Sequence, residues 1–134
     1  MNPWVSIPGT LLFDPPREGL KKTHRGGKHW AIIQVDNGIG YFYRWWVRKR
    51  YGVILQPPVW GCHCTVIRDK DRAEIPRNIA EALHGRKVVL EYSVEWEKHW
   101  KFCVLPVRCE EATNLRQQLG LRDYPLHITF GRIT

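Results

Sequence analysis

The chain has 134 residues, of which 43% are hydrophobic and 25% charged, and this length and composition fit one globular domain rather than two. The formal net charge is +8, because 21 lysines and arginines outnumber 13 acidic residues, and this excess favours polyanionic partners without identifying one. No segment has the uninterrupted apolar length of a membrane span. We therefore expect a single domain over residues 1–134 that does not associate with membranes.

The start of the chain, MNPWVSIP, lacks the basic leader and the apolar region of a secretion signal. We therefore expect a cytoplasmic protein. The four cysteines, at positions 62, 64, 103 and 109, are then expected to be buried thiols, because a reducing compartment disfavours disulfides.

Predicted strands and helices alternate along the chain. Short apolar or β-branched runs between turn-forming residues predict strands, and apolar residues three or four positions apart predict helices. Gly52 follows the longest helix and is a plausible end for it. The predicted strands are residues 10–14, 30–35, 53–55, 62–68, 88–92, 99–107 and 126–133, and the predicted helices are residues 39–50, 76–84 and 110–119. This pattern alone leaves the direction of strand pairing open.

A basic loop with several glycines and prolines is predicted over residues 15–28. Its cations allow two interpretations, a lid that steers phosphate groups and a solvated loop without such a role. They are Lys21, Lys22, Arg25 and Lys28.

Two stretches of the chain, residues 60–68 and 124–132, align without gaps. They read WGCHCTVIR and YPLHITFGR, and they share the pattern aromatic-x-x-His-x-Thr-apolar-x-Arg. The histidines are His63 and His127, and their separation of 64 residues (127 minus 63) is close to half of the 134-residue chain. This spacing is typical of two similar halves related by a pseudo-dyad.

Each repeated motif places an imidazole and a hydroxyl on the same side of a strand. Residues at positions i and i+2 of a strand share a face, so His63 projects with Thr65 and His127 with Thr129. Imidazole can remove or supply a proton near neutral pH, and threonine hydroxyls can donate hydrogen bonds to phosphate oxygens. The two motifs therefore predict metal-independent phosphodiester cleavage, with these four residues as the catalytic groups.

A single histidine in an apolar strand is usually a core residue with a satisfied hydrogen bond, and threonine favours strands in any case. The duplication favours function over both explanations. The sequence Cys62-His63-Cys64 also suggests zinc. However, one strand does not readily direct adjacent residues at one ion, and no C-x-x-C pair occurs elsewhere, so we expect no metal and no cofactor.

Four residues that flank the motifs are candidates for substrate binding. Arg68 and Arg132 reach the histidine face only if a bulge, plausible at Gly131, changes the strand register. Trp60 and Tyr124 could stack on a base at the rim of a cleft, although core packing is the alternative explanation for Trp60.

The two His-x-Thr-apolar motifs resemble those of the 2H phosphoesterase superfamily. The resemblance implies an α+β, bilobal fold in which two antiparallel sheets, related by a pseudo-dyad, enclose a central cleft with helices on the outside. It also implies metal-free catalysis by His63, Thr65, His127 and Thr129.

A closer resemblance covers most of the chain, and its residues are 41–45 (YFYRW), 58–61 (PVWG), 66–68 (VIR) and 124–126 (YPL). These residues are similar to short phage members of the superfamily, the anti-CBASS nucleases, which destroy the cyclic di- or trinucleotide signals of bacterial defence. This similarity implies a cyclic oligonucleotide substrate and, for a phage-encoded protein, the host cytosol. The alternatives are an RNA 2′,3′-cyclic phosphodiesterase or repair enzyme acting on RNA ends, and a non-catalytic RNA-binding module.

Overall fold

The computed structural model describes residues 2–15 and 30–134, and all but Pro15 of the predicted basic loop lies outside them. Within this part of the chain there are seven strands, three α-helices and one short 3-10 helix. The strands are β1 (Trp4–Phe13), β2 (Ala31–Gln34), β3 (His63–Ile67), β4 (Lys87–Ser93), β5 (Glu97–His99), β6 (Phe102–Arg108) and β7 (His127–Arg132). The helices are α1 (Gly38–Tyr51), α2 (Arg77–Leu83) and α3 (Glu110–Gln118), and the 3-10 helix is Asp69–Asp71.

All strand pairings are antiparallel, so the α+β class is confirmed. The order β4-β1-β2-β3-β7-β6 closes into a six-stranded barrel through a pairing of β6 with β4. The sequence predicts two sheets, whereas these strands form one. Two junctions in it are narrow, with one register pair between β3 and β7 and two between β4 and β6.

The sheet has a face covered by helices and a second face that carries the repeated motifs. Tyr43 of α1 packs against Phe130 of β7 with ring centroids 5.5 Å apart. From α3, Leu115 joins the same buried cluster. Residues of β3 and β7 that alternate with the motif histidines therefore point into this core, and the histidines point away from it.

The predicted long helix is confirmed as α1, and it ends at Gly52, whose φ of 70° is left-handed. Three predictions differ from the structure. First, β1 begins at Trp4 rather than residue 10, and its first half pairs with β4. Most side chains of that half are exposed or partly exposed, so they show no apolar alternation from which a strand could be predicted.

Second, residues 53–55 form no strand. Val53 and Ile54 are exposed, and the nearest pairing is an isolated bridge from Gln56 to Arg132. Third, the strand predicted over residues 99–107 is a hairpin, because Trp100 adopts a left-handed φ of 57° and separates β5 from β6. No glycine, asparagine or proline marks this turn.

Within the described residues, no helix has both the length and the apolar character that crossing a membrane requires.

Candidate active site

The repeated motifs lie on two adjacent strands, and their side chains alternate in the same way. In β3 and in β7 the histidine and the threonine are partly exposed, while the residues between and after them are buried. Cys64 and Ile128 are fully buried and lie opposite each other in the antiparallel pairing. The predicted same-face arrangement of each His-x-Thr pair is therefore present.

The pairing of Cys64 with Ile128 fixes the relation between the two motifs. In an antiparallel register, the residues on either side of a matched pair are also opposite each other. His63 therefore lies across from Thr129, and Thr65 lies across from His127. Opposite residues of a pair have Cβ atoms about 5 Å apart, so the four predicted catalytic side chains form one compact group.

Both histidine rings are held in the same way. Nδ1 of His63 lies 3.1 Å from the carbonyl oxygen of Gly61, and Nδ1 of His127 lies 3.2 Å from that of Pro125. A carbonyl oxygen only accepts hydrogen bonds, so each Nδ1 must be the donor. Each neutral ring then has an unprotonated Nε2, the atom that can accept a proton.

A left-handed turn places the carbonyl group of Gly61. Its φ is 74°, which favours glycine, and a side chain there would collide with Asn37. The Asn37 side-chain oxygen accepts a hydrogen bond of 2.9 Å from the backbone N–H of Cys62. The loop before β3 is thus fixed to the start of α1, and this fixes the His63 ring.

Burial lowers the pKa of His63. The hydrogen bond to Gly61 raises this pKa, and the charge of His127 lowers it. Burial also lowers the pKa of His127, which Pro125 and Glu97 raise and His99 lowers. Both pKa values are therefore below the ordinary value of about 6.5. Both free rings are mainly neutral at pH 7.

An aromatic ring stands beside each histidine. The Trp60 and His63 ring centroids are 6.1 Å apart, as are those of Tyr124 and His127. The surroundings of the two aromatic rings differ. Trp60 packs on Trp30, with centroids 5.2 Å apart, whereas Tyr124 lies under the guanidinium groups of Arg68 and Arg116, at 4.1 and 5.3 Å.

A register shift follows the threonine in both motifs. Between β2 and β3 the matched partners step from Thr65 to Ile67, and between β6 and β7 they step from Thr129 to Gly131. Each bulge turns two consecutive residues towards the core. The next residue in each strand, Arg68 or Arg132, therefore returns to the histidine face, as the sequence allows if a bulge is present.

The two arginines have different surroundings. Arg132 lines a cleft of about 480 Å³ together with Trp60, His63 and Thr129. The side chain of Arg68 instead donates a 3.0 Å hydrogen bond to Asp71. Of the four predicted substrate-binding residues, the cleft therefore brings together Trp60 and Arg132, while Tyr124 and Arg68 belong to a neighbouring cluster.

That cluster is centred on Arg116, whose side chain is 4% exposed, and Asp71, whose side chain is 6% exposed. Arg116 donates to the Asp71 carboxylate at 2.8 Å and to the carbonyl oxygens of Val66 and Arg122 at 2.9 and 2.7 Å. Burial raises the pKa of Asp71, but hydrogen bonds from Arg116 and Arg68 outweigh it and hold that pKa well below its usual range. The cluster joins α3 to the end of β3.

A third histidine lies near the motifs and was not predicted from the sequence. The centroid of His99 is 6.1 Å from that of His127, and its Nε2 is 2.8 Å from the Glu97 carboxylate. Both residues belong to β5, whereas the strand predicted over residues 99–107 includes His99 but not Glu97. Only the alternation Glu97-Lys98-His99, with two ionisable residues on one face of a strand, hints at this pair.

The structure separates the residues of the possible zinc motif. Cys62 and Cys64 are buried, with thiol pKa values raised by burial, while His63 is partly exposed on the opposite face. Among residues 2–15 and 30–134, no group of three or more His, Cys, Asp or Glu side chains is arranged to hold a metal ion. All four cysteines are buried and free.

The chain was compared with known protein families, with curated proteins and with solved structures. None of them matches. The arrangement of side chains around His63 and His127 therefore carries the functional argument.

Proposed function

We propose that this protein is a metal-independent phosphodiesterase that hydrolyses 3′-5′ bonds of cyclic di- or trinucleotide immune signals, as the anti-CBASS enzymes of phages do. The observation that carries the proposal is the pair of histidines on adjacent strands, each with its Nδ1 held by a backbone carbonyl. Phosphodiester cleavage needs one group to accept a proton and another to donate one. Two adjacent imidazoles with available Nε2 atoms supply both.

The first step is attack by a ribose 2′-hydroxyl on the adjacent phosphorus. One histidine removes the hydroxyl proton, and the other protonates the departing 5′-oxygen as the P–O5′ bond breaks. The product is a 2′,3′-cyclic phosphate. Water then opens this ring with the two roles reversed, which restores both histidines and leaves a linear product with a phosphate at its 2′ or 3′ end.

The threonines support the charge changes of this reaction. Thr65 lies opposite His127 and Thr129 lies opposite His63, so each hydroxyl is next to the histidine of the other motif. A phosphate bound between the histidines would have a hydroxyl donor on either side. Such donors stabilise oxygens whose negative charge grows in the transition state.

The bilobal arrangement with a pseudo-dyad is part of the same proposal. It is supported by matching local features in the two motifs, which are the Nδ1 contacts, the aromatic ring 6.1 Å away and the bulge after the threonine. It is also supported by the two narrow junctions in the sheet. The lobes would then be β4-β1-β2-β3 and β7-β6-β5.

The test is incubation of the purified protein with cyclic di- and trinucleotides, and separately with RNA ending in a 2′,3′-cyclic phosphate, in the presence of a chelator. We expect linearisation of a cyclic oligonucleotide and a 2′- or 3′-phosphate on the product. Turnover of the RNA end alone would support the RNA-repair alternative. A 5′-phosphate on the product would exclude the mechanism, and binding without turnover of either substrate would support a non-catalytic module.

A further inference from the structure

We propose that the apolar end of the cleft beside His63 is a binding site for one nucleobase of the substrate, with Phe102 as its stacking surface. This inference rests on the proposed function, because it names the substrate group that lies next to the reacting phosphate. It adds a residue that the repeated motifs do not contain.

The cleft has the size and position that a base requires. Its volume is about 480 Å³, within the range of about 300–1,000 Å³ that small-molecule sites occupy. Its lining includes His63 from one motif and Thr129 from the other. A nucleotide with its phosphate at these two side chains would therefore have its base within the same cleft.

The walls beyond the motif residues are mostly apolar. Phe102 and Trp60 contribute aromatic rings, and the remaining apolar residues come from the segment before β3, namely Pro57, Pro58 and Val59. Val59 is 65% exposed and Phe102 is 39% exposed, so apolar surface is open to a ligand here. Planar bases gain favourable stacking on such rings whatever their hydrogen-bonding groups.

The chain brings Phe102 to the cleft through the turn at Trp100 and the bulge in β7. Phe102 lies opposite Arg132 in the register of β6 and β7, and both residues line the cleft. Trp100 supports the Phe102 ring from the hairpin, with centroids 6.0 Å apart. A base on Phe102 would thus lie beside the Arg132 guanidinium, which can bind the attached phosphate.

Within residues 2–15 and 30–134, the corresponding position of the second motif has different surroundings. Tyr124 occupies the position that corresponds to Trp60, but its ring is packed against Arg68 and Arg116 and it does not line the cleft. Of the two aromatic positions, that of Trp60 is therefore the one that lines this cleft. One base of the substrate would accordingly lie beside His63.

The experiment measures binding separately from turnover. Adenosine 3′-monophosphate, cytidine 3′-monophosphate and ribose 5-phosphate are titrated into the wild-type protein and its variants by calorimetry. The variants are Phe102→Leu and Phe102→Met, which remove the ring, and Phe102→Tyr, which keeps it. Phe42→Leu is the matched control, because Phe42 is 51% exposed on α1 and does not line the cleft.

We expect both nucleotides to bind the wild type more tightly than ribose 5-phosphate does, and the ring-removing variants to weaken nucleotide binding roughly tenfold. Ribose 5-phosphate binding should not change, and Phe102→Tyr and Phe42→Leu should behave as wild type. Equal binding of nucleotides and ribose phosphate, or an unchanged preference in both ring-removing variants, overturns the base site.

Cyclic dinucleotide turnover, measured in parallel, separates this proposal from the proposed function. If the protein cleaves cyclic dinucleotides but the ring-removing variants still prefer nucleotides to ribose 5-phosphate as the wild type does, the base site is overturned and the proposed function is not. Phe102-dependent nucleotide binding without turnover of any phosphodiester would support the base site and overturn the enzymatic function.

Discussion

His127 lies near enough to His63 for its charge to lower the pKa of that ring. A proton on His127 therefore makes a proton on His63 less favourable. With one ring protonated and the other neutral, the pair has one proton donor and one proton acceptor, the combination that cleavage by general acid–base catalysis needs.

Replacing either histidine by alanine should reduce kcat for cyclic dinucleotides by a factor of about 10² to 10⁴, because each variant loses one proton-transfer group. Substrate affinity should change much less, since Trp60, Phe102 and Arg132 remain in the cleft. Single-turnover kinetics and equilibrium binding measure the two quantities. Thr113→Ala, at an exposed threonine on α3, is the control for substitution outside the site. A histidine variant that loses binding and turnover together would point to a structural role for that histidine.

The dependence of kcat/KM on pH should be bell-shaped, with its maximum below about pH 6.5. Above both apparent pKa values no proton donor is present, and below both no acceptor is present. Both histidine pKa values are lowered, so the interval between them lies on the acid side of neutrality. Initial rates from pH 4 to 9 would test this, and a maximum above pH 7.5 would contradict it.

The Glu97→Gln variant should move one limb of that profile to lower pH. The Glu97 carboxylate raises the pKa of His127, so its neutralisation should let that pKa fall further. The amide keeps the size of the side chain and can still contact His99. Glu81→Gln, an exposed glutamate on α2, is the matched control and should leave both limbs in place. A profile identical to that of the wild type would show that Glu97 does not act on the catalytic pair.

The strands that carry the motifs could be predicted because apolar and polar residues alternate in each motif, CHCTV at 62–66 and LHITF at 126–130. The same alternation predicts that His63 and Thr65 share a face, as they do. The pairing of β3 with β7 is between residues 64 positions apart in the chain, Cys64 and Ile128, and local pattern contains no information on such distant contacts. Only the duplication suggested it.

The Glu97–His99 pair could not be predicted for a different reason. The turn at Trp100 has a left-handed backbone, which glycine or asparagine usually adopts. Because a tryptophan stands there instead, the sequence gives no sign that β5 and β6 are separate strands. The partner of Arg68 could not be predicted either. The sequence allows a bulge that returns Arg68 to the histidine face, but the hydrogen bond of Arg68 to Asp71 depends on the 3-10 helix that follows β3.

The Asp71→Asn variant should lower the free energy of unfolding by about 3–5 kcal/mol at pH 7, because it leaves the Arg116 charge buried without its carboxylate partner. The folded-state pKa of Asp71 is below its unfolded value of about 3.9. Its contribution to stability is therefore complete above about pH 4 and is lost as the pH falls through the folded-state pKa. Urea unfolding at pH 7 and at pH 3 should accordingly show a larger difference between wild type and variant at pH 7.

Glu81→Gln, which breaks the exposed Arg77–Glu81 pair, is the control and should change the free energy of unfolding by less than about 1 kcal/mol. A similarly small effect of Asp71→Asn would mean that the cluster does not stabilise the junction of α3 with β3.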